Sequence, residues 1–201
     1  MVEYTEAIRE LEAGRAIVMP TDTVYGLAVM PGIPGAIDEL FRIKGRPEEK
    51  PVAILGATAR GLSGVASFEQ RARLVAERFW PGPLTLVLPR APGFNVPLGP
   101  ATARGVGVRV PDSAPALELL GFTGVLAVTS ANRSGESPAT TVQKARAVFE
   151  SRVDVYIDGG PCSGRPSSVV SLVDGPELLR PGPVSIESIH ELLGTHGVEA
   201  T

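Results

Sequence analysis

Short apolar segments alternate with amphipathic helical segments along nearly the whole chain, and Gly and Pro separate them. The 201 residues include 23 Gly and 19 Pro, so turns are frequent without reaching a low-complexity composition. Residues 16–19 and Leu84–Leu88 are typical of buried strands, whereas Ala36–Lys44 and Val142–Phe149 have apolar residues at helical spacing. Because some strands follow each other directly, we expect an α/β fold with a twisted, mixed, mostly open sheet flanked by helices.

The same patterns predict the other elements of a single domain over residues 1–201. Further helices are expected at residues 5–13, 69–79, 114–120 and 186–193, with Thr141 capping the helix that begins at Val142 and Gly194 ending the last one. Further strands are expected at residues 27–30, 52–55, 106–110, 125–129, 153–157, 169–173 and 177–179. Residues 186–201 would form a closing helix and tail.

Composition excludes several classes of protein. Hydrophobic residues make up 43% of the chain, enough for a core, and no apolar run approaches the roughly 18 residues of a membrane helix. The N-terminus is acidic rather than cationic, unlike a secretory signal, and one Cys excludes a disulfide framework. We therefore expect a cytoplasmic protein. The net charge of −3 does not favour bulk nucleic-acid binding but allows a local cationic pocket.

Hydroxyl residues follow the first predicted strand. The segment PTDTVYGL, residues 20–27, carries Thr21 and Thr23 at alternate positions, followed by Tyr25 and Gly26. These side chains suit contact with a small polar ligand, but Thr in a turn also commonly satisfies its own backbone. On chemistry alone, the self-satisfying turn is the favoured interpretation.

Two cations flank a glycine where a predicted helix ends. Lys44 and Arg46 lie on either side of Gly45, and Pro47 stiffens the chain that follows. The helix dipole favours cations at this end, but a Lys/Arg pair on a fixed loop is also a common phosphate clamp. No Walker-type glycine loop is present, so a nucleotide would be held by side chains from several loops.

Polar residues also follow later strands. TSANRSG at residues 129–135 places Ser130 and Asn132 after a predicted strand, where open α/β sheets usually bind ligands; a plain polar turn is the alternative. Arg109 within the apolar segment VGVRVP indicates a paired or ligand-binding guanidinium. Both His residues lie near the end of the chain and no Gly-x-Ser-x-Gly motif occurs, which argues against a serine-hydrolase triad.

Together these segments resemble the YrdC family, the threonylcarbamoyl-AMP synthases of tRNA modification. The matching segments follow in consistent order: PTDTVYGL at 20–27, KGRPEEKP at 44–51, FWPGPLTLVL at 79–88, VGVRVP at 106–111, TSANRSGESPATT at 129–141, GGPCSGRPSSVVSL at 159–172 and LLRPG at 178–182. One such motif would be weak, but an ordered set is highly specific. The resemblance is to the short, single-domain form and implies an α/β fold with a large concave cavity.

The resemblance implies that L-threonine, bicarbonate and ATP form threonylcarbamoyl-AMP and pyrophosphate, with Mg²⁺ bound through the ATP phosphates. A separate tRNA-modifying transferase complex would then use the product at adenosine 37 of tRNAs reading codons that start with A. The family's catalytic tetrad falls on Lys44, Arg46, Ser130 and Asn132. Its two cations would neutralise phosphate oxygens, since such a reaction depends mostly on positioning and charge.

The remaining contacts implied by the resemblance divide between the two substrates. L-threonine would be held by Thr23, Arg109, Ser130 and Ser167, with Arg109 gripping its carboxylate. ATP would be held by Arg46, Lys50, Asn132, Thr140 and Arg180. The alternative for Arg109 is a pair with a protein carboxylate such as Asp112 or Asp158. No protein ligands for a metal, no general base and no membrane contact are expected.

The sequence departs from the family pattern at four positions. Many relatives have Asn at the position of Lys50, His at Leu55 and Ser113, and an acid near Ser171. These differences leave the tetrad intact and alter the expected substrate contacts. Two other functions stay open, a non-enzymatic module that binds tRNA or double-stranded RNA and carbamoyl transfer to another acceptor.

Overall fold

One sheet organises the part of the chain that the structure, a computed structural model, describes: residues 2–45, 51–99 and 105–197. Its strands are β1 (Ile17–Met19), β2 (Gly26–Val29), β3 (Ala53–Leu55), β4 (Leu84–Leu88), β5 (Val106–Arg109), β6 (Leu126–Ser130), β7 (Ser168–Ser171) and β8 (Glu177–Arg180). Their order is β1-β2-β6-β3-β5-β4-β7-β8. The pairs β3–β5 and β4–β7 are parallel and the other neighbours are antiparallel. The predicted mixed, open sheet is therefore confirmed.

Helices cover both faces of the sheet. The helices are α1 (Val2–Glu12), α2 (Ala36–Lys44), α3 (Gln70–Phe79), α4 (Ala114–Thr123), α5 (Val142–Phe149) and α6 (Ile186–Thr195), with a short 3₁₀ helix at Glu150–Arg152. Apolar residues of α2, α3, α5 and α6 pack into the larger core cluster, and those of α1 and α4 into a smaller one. No helix in the described ranges has the length and apolar character that crossing a bilayer requires.

Four neighbouring strands, β3, β5, β4 and β7, expose one face to a cavity. Side chains alternate between the two faces of a strand: in β5, Val106 and Val108 enter the larger core cluster while Gly107 and Arg109 line the cavity. The cavity-facing residues of these strands are Ala53, Leu55, Thr85, Val87, Gly107, Arg109, Val169 and Ser171. The smaller cluster under α1 and α4 lies mainly on β1, β2 and β6, so the cavity opens where that helical cover ends.

One predicted strand is wrong, and the other predicted elements are confirmed within a few residues. The predicted strand at 153–157 is reduced to a single bridge between Tyr156 and Val18, because β1 has only three residues to pair with it. The last helix does not end at Gly194 but continues to Thr195. The caps behave as expected: Thr141 accepts a hydrogen bond from the Lys144 N–H.

The end of α2 is set by backbone geometry. Gly45 adopts a left-handed conformation with φ of 58°, and its N–H bonds to the carbonyls of the last turn. Glycine reaches this conformation without the steric cost that a side chain would add. The turn therefore fixes Lys44 as the final residue of the helix.

Gly182→Ala should destabilise the fold, because a Cβ at this position would lie 2.3 Å from the Ser168 nitrogen and 2.7 Å from the Ser167 carbonyl carbon. Overpacking against backbone costs about 1–3 kcal/mol, so the melting temperature should fall by roughly 2–10 °C. Gly194→Ala is the matched control, since a Cβ there meets nothing within 4 Å. In that helix it should raise the melting temperature slightly. Equal melting temperatures for the two variants would contradict the packing at Gly182.

Candidate active site

The cavity has a volume of about 940 Å³ and is walled by apolar side chains with polar groups at a few points. Of the residues predicted to bind ligands, those that line it are Thr23, Arg109, Ser130, Ser167 and Arg180. Thr23 lies in the turn after β1, Arg109 on β5 and Ser130 on β6. Ser167 directly precedes β7, and Arg180 lies on β8. An apolar pocket with a few convergent polar groups is the usual form of a small-molecule site.

Arg109 is buried and paired with a carboxylate. Its Nη2 donates to Asp22 Oδ1 at 2.5 Å, its Nη1 to Thr23 Oγ1 at 3.0 Å and its Nε to the Gly82 carbonyl at 2.9 Å. The alternative of a protein carboxylate partner is therefore confirmed, but the partner is Asp22 and not Asp112 or Asp158. Asp22 also accepts the Asp112 backbone N–H. Burial lowers the pKa of Arg109, and the Asp22 charge opposes that shift.

Thr21 and Thr23 serve different purposes. Thr21 Oγ1 donates its single hydrogen to the Val24 carbonyl at 2.6 Å and accepts two backbone N–H groups, as the turn interpretation expects. With its hydrogen and both lone pairs engaged, Thr21 cannot donate to the Thr23 hydroxyl, which lies 3.0 Å away. Since Arg109 donates to Thr23 Oγ1, Thr23 keeps one lone pair that can accept a hydrogen bond from a ligand.

Lys44 lies behind Ser130 and is not the exposed loop cation that its position in the sequence suggests. It is 3% exposed. Its Nζ donates to the Ser130 carbonyl, to Ser130 Oγ at 3.1 Å and to Asn132 Oδ1 at 2.9 Å. Asn132 Nδ2 in turn donates to the Arg133 and Glu136 carbonyls. Three of the four tetrad residues thus form one hydrogen-bonded cluster that fixes the turn after β6.

Ser167 and Arg180 form a second polar group on the cavity wall. Arg180 Nε donates to the Ser167 carbonyl and Nη2 to Ser167 Oγ, both at 3.1 Å. Ser167 Oγ also lies 2.9 Å from Thr85 Oγ1. Within the described ranges no carboxylate pairs with Arg180, so its positive charge is available to an anionic ligand.

The loop that contains Gly160 and Gly164 and precedes Ser167 is hydrogen-bonded to the turn after β1. The Tyr25 hydroxyl donates to the Gly160 carbonyl at 2.8 Å, and the Gly164 N–H donates to the Thr23 carbonyl at 2.8 Å. Burial raises the pKa of Tyr25, which keeps the phenol protonated as a donor. Burial also raises the pKa of the Cys162 thiol, which disfavours a nucleophilic thiolate there.

Some predicted residues lie elsewhere. Arg46 and Lys50 fall outside the described residues. Thr140 is half-buried, and its Oγ1 lies 3.3 Å from Lys144 Nζ rather than on the cavity wall. Of the positions that depart from the family pattern, Leu55 and Ser171 line the cavity, whereas Ser113 precedes α4 as its N-cap residue.

Asp22, which pairs with Arg109, and Thr85, which lines the cavity, had no role assigned from the sequence. Asp22 belongs to PTDTVYGL, beside the two threonines that the sequence points to. Thr85 lies in Leu84–Leu88, and the signal was a single hydroxyl in an otherwise apolar strand. The alternation of that strand places it on the same side as Val87, facing the cavity.

An open mixed sheet with a polar-rimmed cavity on one face defines a small-molecule-binding α/β domain, and comparison with known proteins places it. The family model Sua5_yciO_yrdC, described as Telomere recombination, matches residues 9–182. A Mycobacterium tuberculosis protein is 40% identical over 191 residues, covering 94% of this chain and 88% of its own length. The chain belongs to the Sua5/YciO/YrdC family.

Two further relatives carry informative names. A Bacillus subtilis protein named threonylcarbamoyl-AMP synthase, an enzyme, is 33% identical over 196 residues, which span 96% of this chain and 57% of the relative. The Pyrococcus abyssi Sua5 structure complexed with L-threonine superposes with a TM-score of 0.85 at 34% identity, over 95% of this chain and 57% of that one. The chain thus spans little more than half the length of these two relatives.

Lys44→Ala should destabilise the protein, contrary to the expectation for an exposed loop cation. It removes the donor for the buried Ser130–Asn132 oxygens, which costs about 1–3 kcal/mol and should lower the melting temperature by roughly 2–10 °C. Arg42→Ala is the control on the same helix, because Arg42 is 65% exposed in a surface pair with Glu39 and should matter little. A Lys44→Ala melting curve that overlays the wild-type curve would refute the cluster.

Arg109→Ala should lower the free energy of unfolding by about 3–5 kcal/mol, the usual cost of breaking a buried ion pair from one side. The loss leaves the Asp22 carboxylate, 15% exposed, without its guanidinium partner. Combining Arg109→Ala with Asp22→Asn removes the unpaired charge and should recover part of that loss. Urea unfolding of both variants measures the difference. A double variant no more stable than Arg109→Ala alone would argue against the pair.

Proposed function

We propose that this protein synthesises threonylcarbamoyl-AMP from L-threonine, bicarbonate and ATP, releasing pyrophosphate. The observation that carries the proposal is that residues predicted to bind ligands, from separate motifs, converge on one cavity, in a family that includes a structure complexed with L-threonine. The product would pass to a separate transferase for modification of adenosine 37 in tRNAs that read codons starting with A.

Arg109 has donors left for the threonine carboxylate. A guanidinium carries five N–H groups, and three of them are engaged by Asp22, Thr23 and Gly82. One N–H on each terminal nitrogen remains, and Arg109 lines the cavity. Pairing with Asp22 holds the guanidinium plane in place, so a carboxylate can meet a preorganised partner.

Thr23 supplies the complementary group for the other end of an amino acid. Its remaining lone pair, beside the Arg109 donors, can accept a hydrogen bond from the threonine amine or hydroxyl. The two contacts together suit a molecule that carries a donor and a carboxylate on neighbouring atoms. In the proposed reaction the amine forms a C–N bond with the carbon of bicarbonate and water is lost, and the resulting carbamate keeps one N–H for this contact.

The adenylation step requires charge neutralisation more than covalent catalysis. A carbamate oxygen attacks the α-phosphorus of ATP, the bond from that phosphorus to the bridging oxygen breaks, and pyrophosphate leaves. In our proposal Arg180 and Arg46 contact ATP, Lys44 neutralises phosphate charge from behind the Ser130–Asn132 turn, and Lys50 and Thr140 bind the nucleotide. Ser130, on the cavity wall, contacts threonine.

Mg²⁺ would enter this site with its nucleotide. No cluster of three His, Cys, Asp or Glu side chains that could hold a metal occurs in the part of the chain described. The cation would be coordinated by ATP phosphate oxygens, which suits an ion that prefers oxygen ligands and retains several waters. Its chemistry would be to neutralise the leaving pyrophosphate.

Purified protein should release pyrophosphate from ATP only when L-threonine and bicarbonate are both present. We would test each of the twenty amino acids with and without bicarbonate, using Arg42→Ala as an active control and Ser130→Ala as a variant expected to lose most of its turnover. Binding of duplex RNA without binding of ATP or threonine would instead identify an RNA-binding module. Release with another acceptor would identify a different carbamoyl-transfer reaction.

A further inference from the structure

Thr85 is a buried hydroxyl on the cavity wall with no role in the function proposed so far. It is 6% exposed and lies on β4, between β5 and β7. Its methyl group is directed toward β5, since a Cβ at Gly107 would lie 3.4 Å from Thr85 Cγ2. Its hydroxyl lies on the other side, 2.9 Å from Ser167 Oγ. The packing therefore holds the hydroxyl against Ser167.

Hydrogen-bond counting and the position of Arg180 together give this pair a direction. Ser167 Oγ has one hydrogen and two lone pairs, and the Arg180 guanidinium can only donate, so it fills one lone pair. If Thr85 donates as well, both lone pairs are filled and the Ser167 hydrogen is left for the cavity. In the opposite arrangement Ser167 donates to Thr85, and the Thr85 hydrogen is the one left for the cavity. Since Arg180 contacts Ser167 and not Thr85, an anion drawn to this guanidinium favours the arrangement in which the Ser167 hydrogen faces the cavity.

The charges nearby favour an anionic ligand for that hydrogen. Arg180 contacts Ser167 directly, and no carboxylate in the described ranges neutralises it. The second cation, Arg109, is close enough that repulsion from Arg180 adds to burial, the larger cause, in lowering the pKa of Arg109. A hydroxyl donor in contact with the unneutralised Arg180 guanidinium is suited to a carboxylate oxygen.

We propose that Thr85 is a positioning residue that orients the Ser167 hydroxyl as a hydrogen-bond donor to the carboxylate of the amino-acid substrate. This inference rests on the proposed function, because it takes L-threonine as the ligand of the cavity. Thr85 acts through Ser167 and does not itself contact the reacting atoms. It makes the cavity selective for ligands that present an anionic acceptor at this point.

The test compares Thr85→Ala with Thr85→Ser, which differ in the hydroxyl alone. Calorimetric titration should show L-threonine binding about tenfold weaker for Thr85→Ala, as expected for one hydrogen bond to a charged group. Thr85→Ser should stay near wild type, and ATP binding should be unchanged in both. In turnover assays the KM for L-threonine should rise while the KM for ATP does not. Thr123→Ala, which loses a helix hydroxyl outside the cavity, controls for hydroxyl removal.

A double-variant cycle shows whether Thr85 acts through Ser167. Adding Thr85→Ala to Ser167→Ala should weaken threonine binding no further than Ser167→Ala alone. L-threoninol, which lacks the carboxylate, should bind wild type and Thr85→Ala equally. If Thr85→Ala does not fold, Thr85→Cys replaces it, since a thiol is a weak donor.

The outcomes separate this inference from the function on which it rests. Normal threonine binding by Thr85→Ala, additive losses in the cycle, or an equal loss for L-threoninol would overturn the inference and leave the proposed function standing. A loss in Thr85→Ser as large as that in Thr85→Ala would do the same. A wild-type protein that binds no threonine would overturn the proposed function and the inference with it.

Discussion

The buried pair of Arg109 and Asp22 is the interaction on which the cavity depends. One guanidinium joins three separate parts of the chain: β5, the turn after β1 and the turn before β4. A charge this deeply buried is tolerated only when it is paired and hydrogen-bonded. Those same bonds hold the PTDTVYGL turn against the sheet, and the loop that leads to Ser167 is fastened to that turn. The position of the cavity wall thus depends on the need of the buried Arg109 guanidinium for a charged partner and hydrogen-bond acceptors.

The polar groups of the cavity are defined by which of them can donate and which can accept a hydrogen bond, as well as by their positions. Thr21 uses its hydrogen on the backbone and cannot donate to Thr23, and Arg109 fills one lone pair of Thr23, so Thr23 keeps one lone pair as an acceptor. Ser167 is flanked by Arg180 and Thr85 and is left as a donor. An acceptor on one side and a donor on the other match an amino acid in orientation as well as in shape. Fixed groups of this kind need little reorganisation on binding, which is a recognised source of affinity and rate.

The cavity itself results from uneven cover of the sheet. α2, α3, α5 and α6 pack into the larger core on one face, while α1 and α4 cover mainly β1, β2 and β6 on the other. The strands beyond that cover, β3, β5, β4 and β7, carry small and polar residues such as Gly107 and Thr85 among the aliphatic ones on the open side. Their opposite faces carry Leu and Val in the core. Stability and ligand binding are therefore separated onto the two faces of the same strands.

Local periodicity was enough to place most of the helices and strands. Residue type at the helix ends indicated the caps at Gly45 and Thr141, and short segments carried the family resemblance. All of these features depend on neighbours along the chain. Periodicity also indicated that Arg109 needed a partner. Only the tertiary structure decided that the partner is Asp22 and that Lys44 is buried behind Ser130 rather than exposed on a loop. It also decided that Thr85 on β4 meets Ser167, which precedes the neighbouring strand β7. These pairings join residues separated by more than eighty positions. Sequence periodicity reports which face a residue occupies, but strand order and loop packing decide which residues meet there.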